Sequence, residues 1–241
     1  MKSLKWSAIV LSAYLLVLVL GYNLPARVSA FMSEPANGQP SDGVKTEALG
    51  NLAPSASALS RYGLDASQSK FIAHAFAGGL LWFKGHDHLV AVREFTGEAR
   101  LDPDSIASSS LQINAKAGSM IETSSVFTEP QKQIIDKELR EIVLEPDKYP
   151  EIVFRSTSVT GKAAANNQYD LKLAGDLTLH GVTRPITIPA KVIVTGNDLR
   201  AQGEFSIDRG DFKVKATSAF HGLVRVRDKV KFEFDIVGHR L

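Results

Sequence analysis

The 241-residue chain contains no cysteine. That absence excludes disulfides, thiolate metal sites, a cysteine nucleophile and the acylated cysteine of a lipoprotein. It leaves an oxidising compartment open, because a domain of this size can bury enough core without covalent staples. The sequence also lacks a nucleophile elbow, a phosphate-binding loop and an HExxH helix, which argues against the commoner hydrolytic and nucleotide-dependent enzymes. Asp102 and Asp104 are paired carboxylates, but they flank Pro103 in a turn where exposure is expected. The reading is therefore non-catalytic.

Acidic residues are missing from the first thirty positions, which hold Lys2, Lys5 and Arg27. Without that segment the net charge of +2 becomes 25 basic against 26 acidic residues. The basicity belongs to the leader, and no clustered basic stripe on the remainder speaks for nucleic acid. Residues 6–22 carry no charge, Pro25 follows, and Val28-Ser29-Ala30 offers the small-residue pattern of a cleavage site. Residues 1–30 thus read as a signal peptide or, uncut, a membrane anchor. Either form makes the protein periplasmic or secreted, with the uncut form tethered to the inner membrane. Residues 31–66, rich in Pro, Ser, Ala and Gly and without apolar period, read as a flexible linker.

From residue 67 to 241 the period is two, the mark of half-buried strands. Phe95, Gly97, Ala99 and Leu101 alternate with polar residues, as do Leu111, Ile113 and Ala115, and Tyr169, Leu171, Leu173, Gly175 and Leu177. Leu199 to Ile207 and Val230 to Ile236 repeat the pattern, and further strands are expected at 68–77, 152–159 and 185–194. About eight antiparallel strands result, as a sandwich or a barrel. One amphipathic helix is expected over 129–143: Thr128 and Gln131 form a capping box, Ile134, Ile135, Leu139, Ile142 and Val143 share a side, and Pro146 and Pro150 stop it.

In a small barrel, inward side chains either fill the interior or line a cavity for one ligand. Gly97, Ala99, Ala115, Gly175, Ala190, Ala201 and Gly203 are small and stand among large dry-face residues. Small residues leave room for an apolar ligand; equally, glycines mark bends and alanines pack against aromatics. The pattern leaves both open. If a lumen exists, its candidate walls are Phe95, Leu111, Ile113, Phe154, Leu171, Leu173, Leu177, Ile186, Ile188, Phe205, Phe232 and Phe234. Burying a hydrocarbon chain there is worth about 0.8 kcal/mol per methylene.

His86 and His88 are two apart and on a strand would share a face, opposite Asp87. They read as loop residues, as contacts to a ligand headgroup, or as two ligands of a metal site completed by His74, His180 or His221. His180 with Gly181 and Thr183-Arg184-Pro185 reads as hairpin-turn chemistry. Asp208, Arg209 and Asp211 read as a clamp at a barrel end. Candidate headgroup contacts are His86, His88, His180 and Arg209.

The run Gly175-Asp176-Leu177-Thr178-Leu179-His180-Gly181-Val182-Thr183-Arg184-Pro185 resembles the signature of the YceI-like family of exported bacterial lipocalin-like proteins. Phe95-Thr96-Gly97, Tyr149-Pro150-Glu151-Ile152-Val153-Phe154-Arg155-Ser156-Thr157 and Phe205-Ser206-Ile207-Asp208-Arg209-Gly210-Asp211-Phe212 agree in order and spacing. Departures are the lack of a histidine between Gln131 and Arg140, Lys213 where a glycine is common, and the Gly85-His86-Asp87-His88 stretch. The resemblance implies an all-β, eight-stranded antiparallel lipocalin-like barrel, periplasmic, that holds a polyisoprenoid such as a quinone tail or polyprenyl lipid. No cofactor is required beyond that occupant. The membrane surface, through the N-terminal segment, and a second copy in a homodimer are the other partners compatible with the sequence. Rival readings are a filled barrel serving as a protein-interaction module, and a metal- or redox-assisting protein using His86 and His88.

Overall fold

A computed structural model describes residues 59–164, 166–219, 221 and 223–241. The expected leader (1–30) and most of the linker (31–58) lie outside the described residues. Among the described residues eleven strands and one α-helix follow in the order β1 (Ser60–Gly78), β2 (His88–Val92), β3 (Phe95–Leu101), β4 (Ser110–Lys116), β5 (Met120–Glu122), α1 (Glu129–Glu138), β6 (Glu151–Ala163), β7 (Gln168–Leu179), β8 (Val182–Thr195), β9 (Asp198–Asp208), β10 (Ser218–Ala219) and β11 (Val224–Arg240). All strand pairings are antiparallel, and β11 returns to pair with β1 from Tyr62↔Arg240 to Gly78↔Arg225. That pairing closes the sheet and chooses barrel over sandwich. β2 and β3 together make one stave, pairing with the late and early parts of β1, so the closed barrel has eight staves.

β1 begins at Ser60, inside the stretch expected to be linker. Tyr62 is 2% exposed and pairs across from Arg240. The apolar positions Tyr62 and Leu64 are separated by Gly63 and followed by Asp65 and Ser67, turn formers that mask a strand in sequence. They form a bulge instead: Asp65 Oδ1 accepts the Ser67 N–H at 2.8 Å, and register with β11 shifts between Asp65 and Lys70. The bulge bends β1, which then passes from β3 to β2.

The helix is shorter than expected. Its N-terminus has the expected capping box, with the Thr128 N–H donating to Gln131 Oε1 at 2.8 Å. Regular α-helix ends at Glu138, and Leu139–Leu144 continues as a widened π-helical turn closed by Glu145 in the left-handed region, φ 45°. Ile135, Leu139, Val143 and Leu144 face the barrel, whereas Ile134 and Ile142 are exposed. Ile142 lies in the widened turn, which rotates the apolar side, so a single 100° stripe misplaces it.

Candidate functional site in the barrel lumen

Alternation delivers one side chain in two to the interior, and what those side chains are decides whether it is full. The glycines are spoken for. A Cβ on Gly175 would lie 2.3 Å from Arg155 O and 2.8 Å from Phe154 Cζ; on Gly203 it would lie 2.4 Å from Pro189 O and 2.7 Å from Phe234 Cζ. Aromatic rings occupy the space these glycines vacate, and Gly175 faces the β6 bulge between Ser156 and Ser158. The alanines behave differently. Ala99, Ala115, Ala190 and Ala201 all line open space.

That space is two abutting chambers of about 1040 and 1180 Å³, counting solvent at their mouths. Phe71, Ala115, Ile152, Leu177 and Phe205 border both. A phenylalanine cluster forms the waist: Phe205 stacks on Phe232 with centroids 5.0 Å apart, and Phe71 lies 6.0 Å from Phe232 and 6.5 Å from Phe234. The first chamber runs toward the start of β1, with walls that include Leu64, Leu111, Ile113, Phe154, Leu171, Leu173, Ile188 and Phe234. Its polar lining is Arg100, Ser109 and Ser110. The second lies beneath α1 and the end of β1, with Val90, Leu139, Val143, Val230 and Phe232 in its walls.

Ten of the twelve expected wall residues border these chambers; Phe95 and Ile186 instead pack in the surrounding core. Of the four polar candidates, His88 and Arg209 line the second chamber. The His88 ring stacks on Phe127 at 5.1 Å, and its Nδ1 lies 2.8 Å from Glu122 Oε2. Arg209 donates to Val214 O at 2.7 Å and pairs with Asp228, not with Asp208 or Asp211. Its Nε is buried without a partner. His86 and His180 border neither chamber. His86 is exposed before β2, its ring edge-on to Phe127, so the two histidines share a neighbour rather than a strand face. Among the described residues no group of three or more His, Asp or Glu side chains could hold a metal ion.

His180 has a structural position. It and Gly181 are the two left-handed residues, φ 51° and 72°, of the two-residue turn between Leu179 and Val182, as a type I′ hairpin requires. The His180 ring lies 4.1 Å from Tyr149, and Nε2 lies 2.9 Å from Glu145 Oε2, fastening the hairpin to the end of the helical segment.

Sequence reading missed Glu122, Glu138 and Lys215. The Glu122 side chain is fully buried, its Oε1 accepting the Ser124 N–H at 2.7 Å and the Leu89 N–H at 3.1 Å. Burial works to raise its pKa, but the hydrogen bonds from His88 and these two amides outweigh it and hold the group below its ordinary value. Its backbone N–H donates to Asp136 Oδ1 at 2.7 Å, tying α1 to β5. The only sequence sign was its place two residues from Met120 on the dry side. Glu138 borders the second chamber, where burial raises its pKa against the opposing charge of His88. Lys215 reaches the same chamber.

The YceI-like domain model matches residues 62–238. The chain belongs to the YceI-like family. Protein YceI of Escherichia coli O17:K52:H18 is 32% identical over 152 residues, 59% of this chain and 72% of that one. A UPF0312 protein of Vibrio cholerae (El Tor Inaba N16961) is 38% identical over 105 residues, 44% and 50% of the two chains, so the match spans only half of that relative. Among solved structures, Burkholderia cenocepacia BcnA superposes with a TM-score of 0.56 at 21% identity, over 72% of this chain and 98% of that one. A polyisoprenoid-binding domain from Saccharophagus degradans, implicated in plant cell wall breakdown, gives 0.51 at 13% identity over 75% and 98%. The YceI-like barrel is thus shared at identities where only the fold is common.

Proposed function

We propose that this YceI-like protein is an exported, non-catalytic carrier that holds an isoprenoid-type lipid in its lumen, as a quinone or polyprenyl compound. One observation carries the reading: two abutting chambers with almost wholly apolar walls run through the barrel, and the helix-side chamber has four charged or titratable residues in its lining where the other has Arg100 alone. A long tail suits the walls, and a polar head suits the helix-side chamber, whose lining includes His88, Glu138, Arg209 and Lys215. The polyisoprenoid-binding neighbour from Saccharophagus degradans supports the ligand class, and the leader pattern of residues 1–30 supports export to the periplasm. The side chains bordering the chambers include no nucleophile paired with a base, so binding is the chemistry they offer.

A chain-length series tests the proposal. Each isoprene unit brings five carbons, about 3 kcal/mol of transfer energy if fully buried. Lipid-free, refolded barrel titrated with isoprenoid alcohols and quinones of increasing tail length should gain at least roughly tenfold in affinity per unit until the lumen is full. Affinity that ignores tail length, or no binding at all, would refute a lumen-held tail.

A further inference from the structure

The end of the barrel that opens beneath the helix also carries an apolar tip. β1 and β2 are joined there by residues 79–87, and the tip presents Leu80, Trp82 and Phe83 at 76%, 56% and 63% exposure. Leu223, 42% exposed, stands beside it, since its carbonyl accepts the Leu81 N–H at 2.9 Å. Trp82 and Phe83 are the two aromatics among the exposed large hydrophobic side chains of the described residues, and their rings meet edge to face at 6.4 Å. The backbone is set rather than loose: Gly79 takes φ 89°, and a Cβ there would lie 2.4 Å from Leu223 O. Large apolar side chains held outward at a loop end have no role in the core of a barrel.

Cations surround them. Lys84 follows Phe83 and is exposed, and Trp82 shares a shallow recess with Arg225 and Arg227. The carboxylates nearby are engaged: Asp87 Oδ1 accepts the Ala77 N–H at 2.8 Å, and Asp228 pairs with Arg209. An indole flanked by deeper apolar residues and by Lys and Arg is the side-chain set of a bilayer interface, with rings at headgroup level and cations on lipid phosphates. The tip adjoins the lumen. Ala75 and Val226, beside the strand ends from which the tip and Leu223 project, line the helix-side chamber together with Lys215.

We infer that Leu80, Trp82, Phe83 and Leu223 insert into the surface of an anionic bilayer, seating the helix-side mouth of the lumen against the membrane that supplies or receives the lipid. The inference rests on the carrier reading for its purpose, but its geometry does not need a bound cargo. A filled barrel binding another protein would not require its apolar tip to adjoin a lumen mouth.

The barrel domain allows a clean test, because its described residues belong to one compact unit closed by its own first and last strands. The chain has two tryptophans, Trp6 and Trp82, so in a protein of residues 59–241 Trp82 is the sole fluorescent indole. Vesicles of phosphatidylethanolamine and phosphatidylglycerol should shift its emission to the blue, brominated acyl chains should quench it, and the protein should pellet with the vesicles. Phosphatidylcholine alone should do so weakly. The double variant Leu80→Gln, Phe83→Gln should lower partitioning by more than about tenfold with an unchanged thermal melt, and Lys84→Glu should erase the preference for phosphatidylglycerol. Unchanged emission and no pelleting with either vesicle would overturn the inference, as would a blue shift that grows with protein concentration alone, the sign of a second copy on the tip. A protein that yields extractable lipid yet ignores vesicles sinks the docking and leaves the carrier standing. Tip-dependent vesicle binding without any cargo does the reverse.

Discussion

Glu122 and Glu138 stand near the same chamber and their surroundings push them in opposite directions. Glu138, raised by burial, binds its proton more tightly folded than unfolded, so it costs stability once the pH rises above its ordinary value of 4.5. Glu138→Gln should therefore raise the melting temperature at pH 8 and leave it unchanged at pH 4, as differential scanning fluorimetry can show; an equal gain at both would mean packing, not charge. The small residues allow a second contrast. Gly175→Ala sets a Cβ against Arg155 O and should cost about 2–4 kcal/mol, roughly 5–15 °C in Tm. Ala201→Leu reaches into open chamber and should change Tm by less than about 3 °C while weakening binding of the longest tails. Alternation placed both residues inside from sequence, but not which was already packed: that depends on Phe154, two strand registers away. Charged lumen residues were illegible for a related reason. A buried carboxylate is tolerated only with donors such as the Ser124 and Leu89 amides, and no local pattern announces them.

At the scale of elements, turn and cap chemistry was the most legible part. The capping box at Thr128 and the turn at His180-Gly181 are local, and both stand where their residues put them. Element ends were not local. β1 starts at Ser60 because β3 offers Ser60 a partner at Leu101 and β11 offers Tyr62 one at Arg240, and the helix changes to a π turn where its apolar side must keep facing the chamber. The hairpin's attachment to the helix end is testable. Gly181→Val places a branched side chain at φ 72° with its Cβ 2.7 Å from the Tyr149 ring, and should destabilise by at least about 2–3 kcal/mol in urea unfolding. His180→Ala removes the Glu145 partner and should cost about 1–2 kcal/mol. A loss near zero for both would mean that the helix end is not fastened there.

Closure of the whole barrel depends on long-range pairs along its wall, and charge tunes it. Hydrogen bonds from Arg61 and Arg100 hold Glu98 down at about 2; those from Ser67 and Gln68 lower Asp65, and that from Arg200 lowers Asp235. These groups stabilise fully above their ordinary values of 3.8 and 4.5, and the contribution is lost as pH falls through their folded values. His239, raised chiefly by Asp198, acts the other way: its contribution is complete below its ordinary 6.5 and fades as pH climbs past its folded value. Melting temperature should thus be highest between about pH 4.5 and 6.5 and drop steeply below about pH 3.5; a flat acid limb would deny these pairs a role. The strands were legible from the period and the family, with the barrel it implies, from the motif, whereas the choice between a full and a hollow barrel was not, because volume is settled only when eight staves meet.

The direct test of the hollow barrel is to express the protein in a bacterial periplasm, purify it, extract it with organic solvent and weigh the extract by mass spectrometry. A stoichiometric polyprenyl or quinone compound is the expected result. A clean extract, from protein that also refuses added isoprenoids, would contradict the account.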